Sequence, residues 1–262
     1  MQGPSFELSA PTLRQRLGTP YAPVVIDVRR REAYENSDWV IASSRWRDHR
    51  QTEQWASELP AGADVLVYCV HGQQVSQSSM ALLRALGHDA KFLVAGIEGF
   101  IESGGLVVAR RSEFGRVSAP SRWVTHGQAT AGRLACTWMI RRFVDPDAHI
   151  HYVGVEQVPA VAEELDAIAF DVGGAPFADA GDMRSFDALL KYFDIEDEAL
   201  HHVARIARGA DDARGEPEPQ CAGLRAVTLG LSALHEDEHR VLDHAMAIYD
   251  ALYAWARDAQ QL

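Results

Sequence analysis

The chain is poor in cysteine, in lysine and in long apolar runs, and each shortage excludes something. Three cysteines in 262 residues, Cys69, Cys136 and Cys221, stand far apart and form no Cys-x-x-Cys pair. That excludes a disulfide framework and a local zinc knuckle. No apolar run approaches the ~18 residues of a membrane span, and Met1–Phe6 lacks the basic-then-apolar pattern of a secretory leader. The expectation is a soluble, cytoplasmic chain without membrane contact. Lys91 and Lys191 are the only lysines, a bias to which no function attaches. Acid is what the chain has in excess, with 37 Asp+Glu against 25 Lys+Arg and a net charge of −12. A nucleic-acid partner, which requires a basic face, is not expected. With 47% hydrophobic and 24% charged residues the composition is that of an ordinary globular protein, not a disordered one.

The acid is unevenly placed. Residues 1–112 hold 12 basic and 12 acidic side chains, so residues 113–262 carry the whole −12. An asymmetry of this kind points to two units. A Gly- and Pro-punctuated stretch lies where the balance changes, which gives domains at 1–112 and 122–262 with a linker at 113–121. The first domain alternates helix and strand signals. Ser9 caps a helix with Pro11 in its first turn, running to about Leu17. Val24–Ile26, Val65–Tyr68 and Lys91–Val94 read as buried strands. Ser76–Leu86 reads as a helix with Met80, Leu83 and Leu86 inward, and Ile97–Ser103 as a short one. Such alternation implies right-handed βαβ units and a parallel sheet. The second domain reads as helix-rich α+β. Helices are expected over Ala131–Phe143, 157–165, 185–193 and 196–208, with helical stripes from Leu224 to Trp255; His149–Val153 and Ile168–Asp171 read as strands.

Cys69 is the most informative residue. It follows a buried strand, and the run Val70, His71, Gly72, Gln73, Gln74, Val75 leads into a helix. A strand–loop–helix turn aims backbone N–H groups and the positive helix end at the loop centre, which favours a nucleophilic thiolate and an anion beside it. The plain alternative is a small buried residue at a strand end. His71 either orients or protonates a leaving group or is an exposed loop histidine. Two further features stand at strand ends, where parallel α/β sheets place ligands: Asp27-Val28-Arg29, and Gly96-Ile97-Glu98-Gly99-Phe100. In this order and spacing the three motifs resemble the rhodanese-like family over roughly residues 7–108. The resemblance implies a flavodoxin-like, doubly wound parallel sheet and sulfur transfer through a persulfide on Cys69, with no cofactor. Its partners would be a sulfur donor (thiosulfate or a persulfide) and a thiol acceptor, and Asp27 and Arg29 would be structural. Gln74 stands at the loop's sixth position, where thiosulfate sulfurtransferases often carry a cation. The related phosphatases have a loop one residue longer that ends in arginine, so phosphatase activity is set aside.

In the second domain His235-Glu236-Asp237-Glu238-His239 spells HExxH, the pattern of a helix that binds zinc through two histidines. The charged Asp237 and Glu238 at its centre fit a solvated turn between two helices better, so a metal on His235 and His239 is a weak reading. Arg133 and Cys136 share one face of a helix; with Asp171 and Asp211 they form a candidate oxyanion or metal site, against the alternative of a buried thiol among paired arginines. Arg133-Leu134-Ala135-Cys136-Thr137-Trp138, Ala169-Phe170-Asp171-Val172, Arg208-Gly209-Ala210-Asp211 and Tyr249-Asp250-Ala251-Leu252-Tyr253 together resemble the C-terminal domain of the chromate-resistance (ChrB-type) family, over roughly residues 122–257. That resemblance implies a part in chromate resistance. Relatives often carry histidine and cysteine where this chain has Asp179 and Arg184. The leading expectation is a sulfurtransferase associated with chromate resistance. The alternative is a protein that senses or reduces chromate through its C-terminal domain.

Overall fold

The computed structural model describes residues 6–111, 120–179, 183–212 and 218–259, without the side chain of residue 259. The chain divides into two compact units, Met1–Ala119 with Arg142–Asp145 and Pro120–Arg141 with Pro146–Leu262. Of the expected linker 113–121, residues 113–119 lie outside the described residues.

In the first unit the elements run β1 (Glu7–Leu8), α1 (Ala10–Arg16), β2 (Val24–Asp27), α2 (Arg31–Glu35), β3 (Trp39–Ile41), β4 (Arg45–Trp46), α3 (Thr52–Ala56), β5 (Asp64–Tyr68), α4 (Gln74–Ala85), β6 (Asp89–Leu93), α5 (Gly96–Glu102) and β7 (Val107–Ala109). Five strands form a sheet in the order β1-β6-β5-β2-β4, every pair parallel. This is the doubly wound sheet expected of the rhodanese-like fold. Successive strand residues point to opposite faces. Leu66 and Tyr68 of β5 therefore join Leu13, Leu17, Ile97 and Phe100 in one core, while Val65 and Val67 join Trp55, Met80 and Leu83 in the other. Helices α1 and α5 cover the first face, and α3 and α4 the second. Helix α4 starts two residues earlier than the pattern suggests and ends at Ala85, so Leu86 is 47% exposed instead of inward. β3 and β7 pair antiparallel outside the main sheet.

The order of the strands places the reactive end. After β2 the chain moves to the β4 side, and after β5 it moves to the β6 side. The crevice between the carboxyl ends of β2 and β5 is thus the topological switch point, where open α/β sheets bind ligands. Asp27 and Tyr68 are register partners there. Asp27 has no exposed surface and Arg29 is 2% exposed, and their side chains meet at 2.6 Å. The Tyr68 hydroxyl donates to Asp27 Oδ2 at 3.0 Å, and Arg29 Nη2 donates to the Trp39 carbonyl at 3.0 Å. Burial pushes the Asp27 carboxyl up, and the Arg29 guanidinium opposes that shift.

The second unit contains β8 (Arg122–His126), α6 (Ala131–Met139), β9 (His149–Val153), α7 (Val158–Leu165), β10 (Ile168–Ala169), α8 (Ser185–Tyr192), α9 (Glu198–Asp211), α10 (Gln220–Leu234) and α11 (Glu238–Ala259). Its small parallel sheet has the order β10-β8-β9. Helix α6 is the pillar of the unit. Thr130 caps it, and eight of its nine residues are buried. The expected helix to Phe143 ends at Met139 and continues as a π turn over Ile140–Val144. The expected strand to Asp171 stops at Ala169, because Asp171 takes a left-handed conformation with φ 54° that no strand tolerates.

Replacing Arg29 with methionine strands the Asp27 carboxylate without a cation. Breaking such a buried pair costs about 3–5 kcal/mol, read as a lower urea midpoint for Arg29→Met. The unpaired acid has its pKa raised further, so the deficit is full at neutral pH and shrinks as the pH falls and Asp27 takes up a proton. A deficit that stays constant with pH would contradict this assignment.

Candidate active site

Cys69 stands one residue beyond β5, at the switch point, and is 6% exposed. Its Sγ lies 3.2 Å from the Ser76 hydroxyl, which also reaches the Gln73 carbonyl at 3.1 Å. Val70, His71, Gly72 and Gln73 form the turn, and Gln74 and Val75 open α4. The turn is clamped from outside by the first turn of α5. Ile97 N donates to the Cys69 carbonyl at 3.0 Å, and Glu98 N to the Val70 carbonyl at 3.2 Å. Gln77 Nε2 donates to the Gly72 carbonyl at 3.0 Å.

This clamp explains two glycines. At Gly96, with φ 62°, a Cβ would fall 2.3 Å from the Val70 carbonyl and 2.4 Å from that of Cys69. At Gly72, with φ 67°, a Cβ would fall 2.5 Å from the Leu93 carbonyl. Ala95 is also left-handed, at φ 62°, a conformation that costs an alanine about 1–2 kcal/mol and is held by the surrounding bonds.

His71 is exposed, and its Nδ1 lies 3.0 Å from Glu98 Oε2. Neither Glu98 nor Ser76 was anticipated as part of the site. Ser76 left a signal, since it shares the inward stripe of α4 with Ser79, Met80 and Leu83. A hydroxyl on that stripe has to find a polar neighbour inside, and the neighbour is Cys69. Glu98 left none, because its partner is 27 positions away.

In the second unit the candidate residues Arg133, Cys136, Asp171 and Asp211 do come together around α6, but not as an open thiol surface. Arg133 Nη2 meets Asp171 Oδ2 at 2.8 Å, and the guanidinium also contacts the Gln128 carbonyl and, at 2.5 Å, His126 Nε2. Asp211 accepts from the amides of Ala131 at 2.8 Å and Gly132 at 2.6 Å, capping α6. Cys136 has no exposed surface; burial, and then the Asp171 carboxylate, push its thiol well above the usual range. Burial also raises Asp171. A cavity of about 280 Å³ adjoins these residues, and Asp179, Arg184 and Asp212 lie along it. Arg184 Nη1 meets Asp179 Oδ2 at 2.7 Å, so the positions expected to differ from relatives pair with each other.

The HExxH pattern falls in a turn between two helices, the reading that its central Asp237 and Glu238 favoured. His235 is the C-terminal cap of α10 with extended backbone, φ −131° and ψ 126°, and α11 begins only at Glu238. The two histidines therefore do not share a helix face. His235 stacks on His244 with centroids 4.7 Å apart, and His239 packs edge-on against Tyr152 at 5.2 Å. Among the described residues no group of three or more His, Cys, Asp or Glu side chains is placed to hold a metal, and no helix is long and apolar enough to cross a membrane.

Comparison with known proteins assigns both parts of the chain. Residues 9–103 match the rhodanese-like domain, and residues 123–256 match the ChrB C-terminal domain. Protein ChrB of Cupriavidus metallidurans is 33% identical over 133 residues, which is 50% of this chain and 40% of that protein. The chain thus aligns with less than half the length of this relative. Among solved structures, a rhodanese-related protein of Thermoplasma volcanium is 26% identical over 40% of this chain and 98% of its own, with a TM-score of 0.35. The Alr3790 protein of Anabaena sp. is 27% identical over 40% of this chain and 84% of its own, with a TM-score of 0.35.

Two outcomes follow from the geometry. Cys136 in the native chain resists iodoacetamide under conditions that label it fully after denaturation; rapid native labelling, read by peptide mass spectrometry, would refute its burial. Gly96→Ala loses at least the ~1–2 kcal/mol of the left-handed backbone, read as a lower melting temperature, and displaces the loop that carries Cys69.

Proposed function

Because the chain belongs to the family of the ChrB C-terminal domain and carries a rhodanese-like domain ahead of it, we propose that it is a sulfurtransferase associated with chromate resistance. Sulfane sulfur moves through a persulfide on Cys69. The observation that supports this most is the setting of the thiol: a strand-end Cys69 at the switch point, 3.2 Å from the Ser76 hydroxyl, in a loop pinned by α5.

The chemistry needs no resident cofactor. The Cys69 thiolate attacks the outer sulfur of a donor such as thiosulfate. A new sulfur–sulfur bond forms at Sγ while the donor's own breaks, and the bonding pair leaves with sulfite. An acceptor thiolate then attacks the outer sulfur of the persulfide, takes it as a new persulfide, and returns the electron pair to Cys69. Ser76 turns its hydroxyl from the Gln73 carbonyl toward whichever sulfur anion is present, since a hydroxyl hydrogen rotates freely. His71, paired with Glu98, is an exposed residue of the loop.

Chromate binding or reduction in the C-terminal domain is the other reading. It would have to draw on Arg133, which is committed to Asp171, and on Cys136, which is sealed. The carboxylates along the adjoining cavity also oppose a dianion, so the geometry favours the Cys69 reading.

Intact mass spectrometry after incubation with thiosulfate is expected to show a gain of one sulfur in the native chain and none in Cys69→Ser. Unchanged sulfur uptake by Cys69→Ser would overturn the proposal.

A further inference from the structure

Helix α10 presents a face that the described residues leave open. It runs from Gln220 to Leu234 and buries only Cys221, Leu224 and Thr228. Its sequence is nearly apolar all round, with Arg225 its one charged residue and no acid. A helix of that composition belongs in an interior, whereas a surface helix carries polar residues on its outer face. Here the outer face is apolar and exposed: Val227 is 43% exposed, Leu229 60% and Leu234 77%. At about 100° per residue, the exposed apolar positions fill an unbroken arc of roughly 160°. At ~22 Å long, the helix is too short to span a membrane.

Within the arc, Gly223, Val227, Gly230 and Leu234 follow one another at intervals of four, three and four residues, the spacing of a helix–helix seam. Glycine is the poorest helix former after proline. This chain's own packing requires neither glycine, since a Cβ at Gly223 or Gly230 would have nothing within 4 Å. The seam is complementary to itself when a second copy runs antiparallel. About a two-fold axis midway along it, Gly223 faces the partner subunit's Leu234, and Val227 faces the partner subunit's Gly230. A large side chain then meets a hollow at each of the four positions. In a parallel pair glycine would face glycine and leucine would face leucine, which leaves voids beside crowded contacts.

Area and charge point to the same occupant. An arc of this width on a helix of this length presents roughly 450 Å². A symmetric pair buries about 900 Å², the size of a weak, concentration-dependent interface. Residues 113–262 carry a net charge of −12, so two copies repel through much of that surface. Helix α10 offers no carboxylate to that repulsion, and its uncharged seam gives an acidic or basic partner nothing to pair with.

We infer that the exposed face of α10 is a homodimer interface. Helix α10 packs antiparallel on α10 of a second copy, with Val227 and Leu234 of each copy seated against Gly230 and Gly223 of the other. The contact is isologous and therefore closes at two copies.

The test uses the full chain under a thiol reductant, so that disulfides contribute nothing. Sedimentation velocity is expected to show a monomer–dimer equilibrium with a dissociation constant in the micromolar range. Added salt tightens the pair, because it screens the repulsion between two acidic chains. Leu234→Glu is expected to raise the constant by about 10–100-fold. Gly223→Leu fills the hollow that the partner subunit's Leu234 needs and raises it by about 10-fold. Leucine is the better helix former, so the dilute Gly223→Leu monomer melts no lower than the native chain; weaker pairing by an equally stable monomer separates a lost interface from misfolding. Combining Gly223→Leu with Leu234→Gly restores large against small and recovers association. A chain that stays monomeric at about 0.2 mM, far above a micromolar constant, overturns the inference. So does a dimer that Leu234→Glu leaves intact, that Gly223→Leu strengthens, or that salt dissolves.

Discussion

A carboxylate sealed from water holds the reactive end of the first unit in place. Asp27 at the end of β2 is bound by Arg29 two residues later and by Tyr68 at the end of β5. Tyr68 reaches on to Ser44 at 3.0 Å and to the amide of Ile41 at 3.2 Å, and Arg29 reaches Trp39. One buried charge thus fixes the ends of two central strands and the strand β3 beside them. The gain in stability from such a pair is small, because the cost of dehydrating both ions offsets most of their attraction. Position is the larger consequence. The turns that leave β2 and β5 carry Arg30 and Cys69, so this network fixes where both turns begin.

The clamp between the Cys69 loop and α5 is the second constraint. The bonds from the amides of Ile97 and Glu98 require backbone-to-backbone approach, and this is why Gly72 and Gly96 have no room for a side chain. The loop is therefore a rigid cradle. A pre-shaped cradle suits chemistry in which the nucleophile stays put and small sulfur species come and go.

In the second unit the acidic side chains near α6 are spent on structure. Asp211 caps the helix, Asp250 accepts from the Trp138 indole at 2.9 Å, and Asp171 and Asp179 each hold an arginine and approach Ser185. Tyr249 donates to the carbonyl of Ala131 at 2.6 Å, tying α11 to the start of α6. An electronegative domain of this kind does not hold Cys136 as a reactive thiol; it buries it.

Much of this was legible in the residues alone. The Val-rich runs that become β2 and β5, the Ser9 cap, and the order of Asp27-Val28-Arg29, Cys69 and Gly96-Ile97 identify a parallel α/β sheet with a thiol at a strand end. Such features depend on periodicity and on neighbours within one or two turns, which a linear sequence records directly. The short strands β3, β4 and β7 were not legible, because two or three residues carry no period. The turn between α10 and α11 was legible in the charge of Asp237 and Glu238, although helical stripes continue on both sides of it; the extended backbone of His235 marks where α10 ends. Tertiary structure decided what touches Cys69 and what does not. Ser76 meets the sulfur because α4 turns its inward stripe toward β5, Glu98 meets His71 because α5 packs on the loop, and Arg30 shares a cavity with Gln74 because β2 and β5 are neighbours in the sheet. Each of these pairings depends on the path of the chain between its members, and the identity of the residues does not specify that path.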